Sequence, residues 1–322
     1  MDVSVIIVTR NTCELTCTAI RSVLESRDSL VKEVIVMDNG SSDDTSQTLP
    51  QQFSGMRYCR NEENLGFARS ANLAARQASG EWLLLLNSDA CLEPDALERA
   101  VSWMEANPNC GVAGAQLLNP DGSRQNSIAN FPTLATELLN KSILRRLFPR
   151  RFPGKEHPFT APVEVETVIG AFMLVRREIW DRLGGLDERF FFFFEETDFC
   201  LRVRQAGKTV MHLPGVKVRH GQGQTAKQIS AAARIEYWRS RDAYFAKNHN
   251  QAVRAVLAAG LVMRLLVDWI AATGTLALTL GGSARHKERW KVLAALWLWQ
   301  LHGRPADMGL PRPKEIHPGA GR

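Results

Sequence analysis

The sequence lacks both the cysteine pattern and the leader that mark secreted proteins. Its six cysteines contain no Cys-x-x-Cys pair and no dense framework, which is typical of reduced thiols in the cytosol. Residue 2 is an acid, and the first apolar run, Val3–Val8, is too short for the core of a signal peptide. We therefore expect the chain to stay on the cytoplasmic side of the membrane.

Two common phosphate-binding motifs are also missing. No Gly-x-Gly-x-x-Gly follows the first apolar run, and no Gly-x-x-x-x-Gly-Lys-[Ser/Thr] occurs. The usual dinucleotide cradle and the P-loop are thereby excluded. A phosphate-bearing ligand needs another partner, and a metal held by oxygen atoms is the obvious substitute.

What is present is a chain of 322 residues, 45% hydrophobic and 23% charged, which is enough for one α/β domain with extra elements. Its charge is unevenly distributed. Residues 1–200 hold 20 Lys and Arg against 28 Asp and Glu, a net −8, whereas residues 201–322 hold 20 against 6, a net +14. The basic tail predicts an anionic partner, for which lipid and nucleic acid are both candidates.

The first 120 residues alternate short apolar runs with helical patterns, as βαβ units do. This alternation predicts a doubly wound, mostly parallel α/β sheet. The predicted strands are Val3–Val8, Val34–Met37, Met56–Cys59, Trp82–Leu86 and Val112–Leu118. Residues 119–162 are rich in proline and contain one predicted amphipathic helix, Leu134–Leu147, and regular structure is expected again over residues 163–224.

In open α/β sheets, ligands bind beyond the carboxyl ends of the strands. Three of the predicted ends carry polar side chains: Thr9-Arg10-Asn11, Asp38 and Asn87-Ser88-Asp89. Asp38 can accept the N3–H of a uracil or thymine ring, or it can be an ordinary turn residue before a helix. Asp89 can bind Mg²⁺ or Mn²⁺ together with phosphates, or it can belong to a plain strand-to-loop turn.

Five consecutive phenylalanines, Phe190–Phe194, lead into Glu195, Glu196 and a predicted helix. Glu195 shares a helical stripe with Asp198 and Arg202, with which it can pair, whereas Glu196 heads an apolar stripe that points inward. Apolar neighbours raise the pKa of a carboxyl group toward what a general base needs, although a helix N-terminus opposes that shift. Glu196 is therefore the first candidate for a base, and Glu195 is the second.

His220 follows a short strand-like run, Val216–Val218. A lone histidine of this kind is either a structural residue or a metal ligand that completes a site with Asp89.

These pieces, in this order, resemble the family 2 glycosyltransferases of GT-A fold, and among them the bacterial rhamnosyltransferase branch. The resemblance covers residues 3–225. Each motif is weak alone, whereas the ordered set is specific. The motifs are Val5-Ile6-Ile7-Val8-Thr9-Arg10-Asn11, Asp38-Asn39-Gly40-Ser41-Ser42-Asp43-Asp44-Thr45, Asn64-Leu65-Gly66-Phe67-Ala68 with Asn72, Leu86-Asn87-Ser88-Asp89, Leu118-Asn119-Pro120-Asp121-Gly122-Ser123, Gly184-Gly185-Leu186-Asp187-Glu188, and Phe194-Glu195-Glu196-Thr197-Asp198 with His220.

The resemblance implies a role for each matching position. Thr9, Asn11 and Asp38 would hold the nucleoside, with Arg10 and Asn87 also at the donor. Asp89 and His220 would hold Mn²⁺ or Mg²⁺.

The resemblance also carries two departures from the family pattern. Glu196 stands on the family's usual catalytic aspartate in Glu-Asp-x-Asp and is one methylene longer. Asn87 stands where the first acid of Asp-x-Asp belongs, and it brings no charge to a metal site. Arg69 either supports the departing diphosphate or forms a surface salt bridge.

The implied reaction is inversion by a single displacement from a dTDP- or UDP-sugar to a hydroxyl of a glycan or polyprenyl-linked acceptor, in cell-envelope polysaccharide synthesis. Rhamnose as the sugar rests on the resemblance alone. We expect residues 1–120 to bind the nucleotide sugar, residues 121–225 to bind the acceptor and supply the base, and residues 226–322 to form a basic, helical extension.

The extension contains an apolar run, Val253–Leu280, that is interrupted by Arg264 and Asp268. Two such charges cost about 5–7 kcal/mol on insertion, and the large apolar residues return about 4–7 kcal/mol, so a membrane span is not favoured. A second apolar run, Val292–Leu301, basic flanks and several tryptophans favour helices that lie in an anionic headgroup layer. The alternatives are a soluble helical cap and a dimer contact, and no nucleic-acid-binding module is recognisable.

Two rival functions stay open at this point. A sugar nucleotidyltransferase would need a Gly-rich Lys/Arg loop after the first strand, which Thr9-Arg10-Asn11-Thr12 does not supply. A non-catalytic membrane scaffold that kept the nucleotide fold is the other.

Overall fold

The computed structural model of the chain describes residues 1–154, 157, 159–221, 230–279 and 283–312. Strands and helices alternate through its first half, as βαβ units require. The strands are β1 (Val3–Thr9), β2 (Lys32–Asp38), β3 (Arg57–Arg60), β4 (Trp82–Asn87), β5 (Ala90–Leu92), β6 (Cys110–Leu118), β7 (Ile128–Ala129), β8 (Val163–Glu164), β9 (Thr167–Val168), β10 (Phe172–Arg176) and β11 (Thr209–His220). The helices are α1 (Cys13–Leu24), α2 (Thr45–Gln52), α3 (Phe67–Gln77), α4 (Ala96–Glu105), α5 (Leu134–Leu138), α6 (Lys141–Leu147), α7 (Arg177–Leu183), α8 (Glu195–Gln205), α9 (Ser230–Asn248), α10 (Gln251–Leu278) and α11 (Ala284–Leu301).

The predicted doubly wound sheet is confirmed, and each of its five predicted strands lies within two residues of the observed bounds. Its order is β3-β2-β1-β4-β10-β6-β11-β5, and β8 pairs with β11. The pairs β1–β2, β1–β4, β2–β3 and β6–β11 are parallel. Strand β10 runs antiparallel between β4 and β6, so its first residue lies at the same edge as the last residues of β4.

The sheet is buried on both faces because its central strands are almost wholly apolar. Val5 and Ile7 of β1 face the core that α1, α2 and α4 cover, whereas Ile6 faces the core under α3, α7 and α8. Two buried faces leave the carboxyl ends of the parallel strands as the place where polar groups can gather.

One predicted helix is wrong. Residues 134–147 form two short helices instead of one, because Leu139 and Asn140 adopt extended backbone angles. The Asn140 side chain accepts a hydrogen bond from the Ser142 amide (2.8 Å) and thereby starts the second helix.

The C-terminal helices do not stand apart from the sheet domain. Phe190 and Phe194 share a hydrophobic cluster with Tyr244 and Phe245 of α9 and with residues of α10 and α11. The expected boundary at residues 225 and 226 lies outside the described residues. Within the described ranges, Phe190, Phe194 and the C-terminal helices form one core.

Lys247 of α9 joins these two parts of the molecule by charge. Its Nζ donates to Asp187 Oδ2 (2.7 Å) and to Asp198 Oδ1 (2.6 Å), and Asp198 also accepts from Arg202 (2.8 Å). Although burial opposes it, hydrogen bonds from Arg189 and Lys247 hold the pKa of Asp187 far below its usual value. Replacing Lys247 leaves the fully buried Asp198 with one cation fewer.

We expect Lys247→Met to lower the free energy of unfolding by about 2–4 kcal/mol at pH 7, because it breaks two charge-assisted hydrogen bonds. A carboxyl group whose pKa is lowered in the folded state stabilises the fold at pH values above its ordinary pKa, and this contribution is lost as the pH falls. The destabilisation caused by Lys247→Met should therefore shrink below about pH 4. Urea unfolding at pH 7 and pH 3 measures both effects. The exposed Lys217 supplies the control, Lys217→Met, with a change within about 0.5 kcal/mol; an equal loss at both pH values for Lys247→Met would contradict the explanation.

Candidate active site

An open cavity of about 270 Å³ lies beyond the carboxyl ends of the parallel strands. Strand β1 contributes Thr9 and Arg10, and the end of β4 contributes Asn87, with Ser88 and Asp89 directly after it. The aromatic wall consists of Phe67 and residues 191–193, and Asn39, Asn64 and His220 complete the polar lining. Polar groups from stretches far apart in the chain therefore meet in one cleft.

Asp89 and His220 face each other because two short stretches of ladder hold them. His220 pairs with Ala90 in the antiparallel β5–β11 ladder, and the Gly221 amide donates to the Asp89 carbonyl (2.9 Å). The Asp89 Oδ1 lies 3.2 Å from His220 Nε2, and both side chains are about nine-tenths buried.

Gln125 determines which nitrogen of His220 carries the proton. Its amide Nε2 donates to the Asn119 side chain (2.8 Å) and to the His220 carbonyl (2.6 Å), so its Oε1 is left to face His220 Nδ1 (3.0 Å). Because an amide oxygen only accepts, Nδ1 must donate, and a neutral imidazole then presents the lone pair of Nε2 to the Asp89 carboxylate. Two acceptors at this distance need a cation between them, either a proton or a metal ion.

The geometry of the pair fits a divalent ion. Adjacent ligands of an octahedral ion at about 2.1 Å lie about 3.0 Å apart, close to the separation observed here. Carboxylate oxygen and imidazole nitrogen suit Mn²⁺, and Mg²⁺ is commonly held by one or two carboxylates plus substrate phosphates. Within the described residues no cluster of three or more His, Cys, Asp or Glu side chains adds a further protein ligand.

Asp38 lies at the same edge but points into the protein. Its Oδ1 accepts from the Ser41 amide (2.9 Å) and its Oδ2 from the Tyr58 hydroxyl (2.6 Å), and it is fully buried. Burial and the neighbouring Asp38 raise the pKa of Tyr58 above its usual value. The cavity instead meets the next residue, Asn39, which sequence reasoning did not single out.

The other predicted donor residues are placed unequally. Thr9 and Arg10 line the cavity, and the Arg10 Nε is buried without a hydrogen-bond partner among the described residues. Asn11 is exposed, adopts a left-handed backbone (φ 53°) and accepts from the Ser42 amide (2.7 Å), outside the cavity lining. Arg69 also lies outside it, exposed, with its Nε 4.0 Å from Glu188.

Some residues of the phenylalanine run lie in the hydrophobic core, and others line the cleft. Phe190 and Phe194 are buried in the cluster shared with α9, whereas residues 191–193 line the cavity. Phe193 and Phe194 both adopt left-handed backbone angles (φ 71°), which non-glycine residues rarely do. This strained turn ends directly at Glu195 and sets the direction in which α8 begins.

Glu195 and Glu196 present buried carboxylate oxygens that have no hydrogen-bond partner in the described part of the chain. Glu196 lies next to Gly170: a Cβ added to this glycine would be in ordinary van der Waals contact with the Glu196 side chain, 3.6 Å from its Cβ. The next residue, Ala171, accepts a hydrogen bond from the Asn87 amide (3.1 Å). Glu196 is therefore next to the strand end that carries Asn87.

Burial governs the protonation of both carboxyl groups. Burial raises the pKa of Glu195 well above its usual value, and the neighbouring Glu196 raises it further. Burial also raises the pKa of Glu196, against the opposing backbone N–H groups of Glu196 and Thr197 at the start of α8. A proton acceptor with a pKa raised in this way is suited to general base chemistry near neutral pH.

Comparison with known proteins identifies the family of the chain. The family model "Glycosyl transferase family 2" matches residues 4–184. The N-acetylglucosaminyl-diphospho-decaprenol L-rhamnosyltransferase of Mycobacterium tuberculosis is 26% identical over 245 residues, which cover 70% of this chain and 78% of that protein. The rhamnosyltransferase WbbL of Escherichia coli is 26% identical over 196 residues, 58% of this chain and 72% of the relative.

Solved structures share the fold. The mannosyltransferase PcManGT of Pyrobaculum calidifontis, in complex with GDP-Man and Mn²⁺, superposes with a TM-score of 0.54 at 19% identity, covering 94% of this chain and 88% of that one. GalNAc-T7 with UDP, GalNAc and Mn²⁺ gives a TM-score of 0.54 at 16% identity, covering 68% of this chain and 44% of the other. With a family model that spans more than half of its length, the chain belongs to glycosyl transferase family 2 and to its rhamnosyltransferase-like branch.

Proposed function

We propose that the protein is an inverting, divalent-metal-dependent hexosyltransferase that moves a sugar from a nucleotide diphosphate to a hydroxyl of a glycan or lipid-linked glycan. The observation that carries the proposal is the Glu196 carboxylate, which has one buried oxygen without a partner among the described residues. It lies beside the strand end that bears Asn87, with the Asp89–His220 pair in the adjoining cleft. A rhamnosyl donor is suggested by the names of the two relatives, and we propose dTDP or UDP as its nucleotide. We also propose a role in cell-envelope polysaccharide synthesis, which the diphospho-decaprenol acceptor in the name of the first relative supports.

In this proposal, Glu196 takes the proton of the acceptor hydroxyl as that oxygen attacks the anomeric carbon. Arg10, whose Nε is unpaired in the described part of the chain, and Asn87 hold the donor diphosphate in the cleft. Thr9 and Asn39 line its nucleoside side. Asp89 and His220 would hold Mn²⁺ or Mg²⁺, which stabilises charge on the departing diphosphate. Burial raises the pKa of both carboxyl groups, and a proton held on Glu195 would keep the negative charge of the pair on Glu196.

We expect Glu196→Gln to lower kcat about 10²- to 10⁴-fold because the acceptor hydroxyl loses its proton acceptor. Thermal stabilisation by UDP or dTDP with Mn²⁺ should stay unchanged, since the donor side is intact. Glu178→Gln, at an exposed position on α7, is the matched control and should keep full activity. Undiminished transfer by Glu196→Gln would remove the base assignment, and absence of transfer in the unaltered protein would favour a non-catalytic scaffold.

We expect Gln125→Leu to weaken Mn²⁺ binding about 10- to 100-fold, because His220 loses the acceptor that fixes its tautomer and ring orientation. Electron paramagnetic resonance of free Mn²⁺ in the presence of UDP measures the affinity. The neighbouring exposed Asn126 provides the control, Asn126→Ala. Equal affinities in both variants would show that Gln125 does not act on the metal ligand.

We further propose that α10 and α11 lie on the inner face of the cytoplasmic membrane. Helix α10 is long and apolar enough to cross a bilayer by length and composition, with a mean hydropathy of 1.9. One face of it, with Leu257, Leu261 and Leu265, packs against the protein, and its charged residues are engaged there too: Arg264 donates to the Glu137 carbonyl (3.0 Å), and Asp268 accepts from Arg289 of α11 (3.2 Å). The other face leaves Met263, Val267 and Ile270 exposed, which supports attachment along the helix and not across the bilayer.

Attachment of this kind predicts that the protein sediments with membranes and is released by alkaline carbonate. Met263→Glu with Ile270→Glu should shift most of it to the soluble fraction, because both changes place charge on the exposed apolar face. Leu24→Glu, an exposed leucine on α1, is the control. Resistance to carbonate would indicate a span, and wholly soluble unaltered protein would end the membrane proposal.

A further inference from the structure

A second and larger cavity, of about 870 Å³, lies between α5, α6, α9, α10 and α11. It is open to solvent, and its lining is cationic: six Lys or Arg side chains face three carboxylates. A cavity of this size and charge is suited to an anionic ligand.

Arg241 of α9 is the unusual member of this lining. It is only 4% exposed, and its Nε and Nη2 are buried without a hydrogen-bond partner in the described chain. Its nearest carboxylate is Glu137, whose Oε2 lies 3.8 Å from Nη1, beyond hydrogen-bond distance. The guanidinium stacks 4.4 Å from the centre of the Trp238 ring, which leaves its N–H edges available.

A buried guanidinium with unused donors is costly unless a ligand satisfies it. Burial lowers the pKa of Arg241, although Glu137 opposes that shift. The planar fork of N–H groups matches the oxygens of a phosphate or a carboxylate. Phosphate is favoured here because further cations surround the same space.

The carboxylates near Arg241 are too few to form ion pairs with all of the cations around it. Asp268 is shared between Arg264 (3.9 Å) and Arg289 (3.2 Å). Lys141, Arg234 and Arg285 also line the cavity, and none of the three forms an ion pair within the described ranges of the chain. This surplus of positive charge fits a ligand with more than one negative charge.

The same cavity has an apolar side and a wall in common with the catalytic region. Leu261 and Leu265 of α10 and Leu296 of α11 line it. Tyr237, another lining residue, packs against Phe193 and Phe194 with ring centres 5.7 and 5.1 Å apart. Those two phenylalanines lead directly into Glu195 and Glu196, so a headgroup in the cavity is one aromatic layer away from the proposed base.

We propose that this cavity binds the phosphate or diphosphate group of a lipid-linked acceptor, with Arg241 as its buried anchor and the apolar helices against the lipid chain. The proposal rests on the proposed function, since it names where the lipid end of the acceptor is held. It assigns Arg241 to acceptor binding and not to chemistry at the sugar.

Binding can be measured without any transfer reaction, on the full chain in detergent. Farnesyl diphosphate is the probe. Farnesol, which lacks the diphosphate, and inorganic diphosphate, which lacks the lipid chain, are compared with it. We expect farnesyl diphosphate to bind at least about tenfold more tightly than inorganic diphosphate, because the apolar side contributes, and farnesol not to compete. Equal binding of farnesol would overturn the anion site.

Arg241→Gln should weaken farnesyl diphosphate binding by about thirtyfold or more, since it removes the buried charge that pairs with the ligand. Arg241→Lys should recover only part of the affinity, because it keeps the charge and loses the fork. Should Arg241→Gln fail to fold, the exposed pair Arg234→Gln and Arg285→Gln tests the same cavity. Lys287→Gln, on α11 but outside the lining, is the control and should bind as the unaltered protein does.

The outcomes distinguish an acceptor site from general damage to the protein, from a phospholipid site and from a failed base assignment. Stabilisation by UDP with Mn²⁺ should be the same in all these variants, so a loss there would indicate general damage and contradict a separate acceptor site. If phosphatidylglycerol vesicles lose binding in Arg241→Gln while farnesyl diphosphate does not, the cavity is a phospholipid site and the proposal is wrong. Undiminished transfer by Glu196→Gln, together with weakened farnesyl diphosphate binding in Arg241→Gln, would overturn the base assignment and leave the acceptor site standing. Unchanged farnesyl diphosphate binding in Arg241→Gln, together with lost transfer in Glu196→Gln, would overturn the acceptor site and leave the base assignment standing.

Discussion

The contact between Asp89 and His220 is the constraint around which the cleft is arranged. With the Gln125 carbonyl oxygen facing Nδ1, the carboxylate and the Nε2 lone pair repel each other unless a cation lies between them. The β5–β11 ladder holds the backbones of the two residues side by side. The fold therefore contains a site that is stabilised by a bound cation. This site lies at the edge of the sheet where the negative charge of a sugar diphosphate would bind.

The sheet and its edge were predictable from the sequence, because the apolar runs have the length of buried strands and end in polar residues. What the sequence could not indicate is the direction of individual side chains at that edge. Asp38 is consumed by the Ser41 amide and the Tyr58 hydroxyl, and the cleft meets Asn39 instead. Gln125 was missed for a different reason: it lies 95 residues from His220, in a stretch with no periodic pattern. No local signal marks such a partner.

The phenylalanine run illustrates how one motif can carry two functions. Residues 191–193 line the cleft. Phe190 and Phe194, however, belong to the core with α9, α10 and α11. Their partners follow about fifty residues later, so only the tertiary structure reveals that the C-terminal helices stabilise the turn that positions Glu195 and Glu196.

The contacts of the basic C-terminal residues change the interpretation of their positive charge. A net charge of +14 over residues 201–322 suggests a surface that attracts anionic lipid throughout. Yet Arg239 is used inside the protein, since it donates to the Pro305 and Met308 carbonyls and lies over the Trp299 ring, and Arg312 pairs with the buried Glu236. Other cations line the large, open cavity. The charge available to a headgroup layer is thus smaller than the composition implies, and the apolar face of α10 must supply a corresponding share of any membrane affinity.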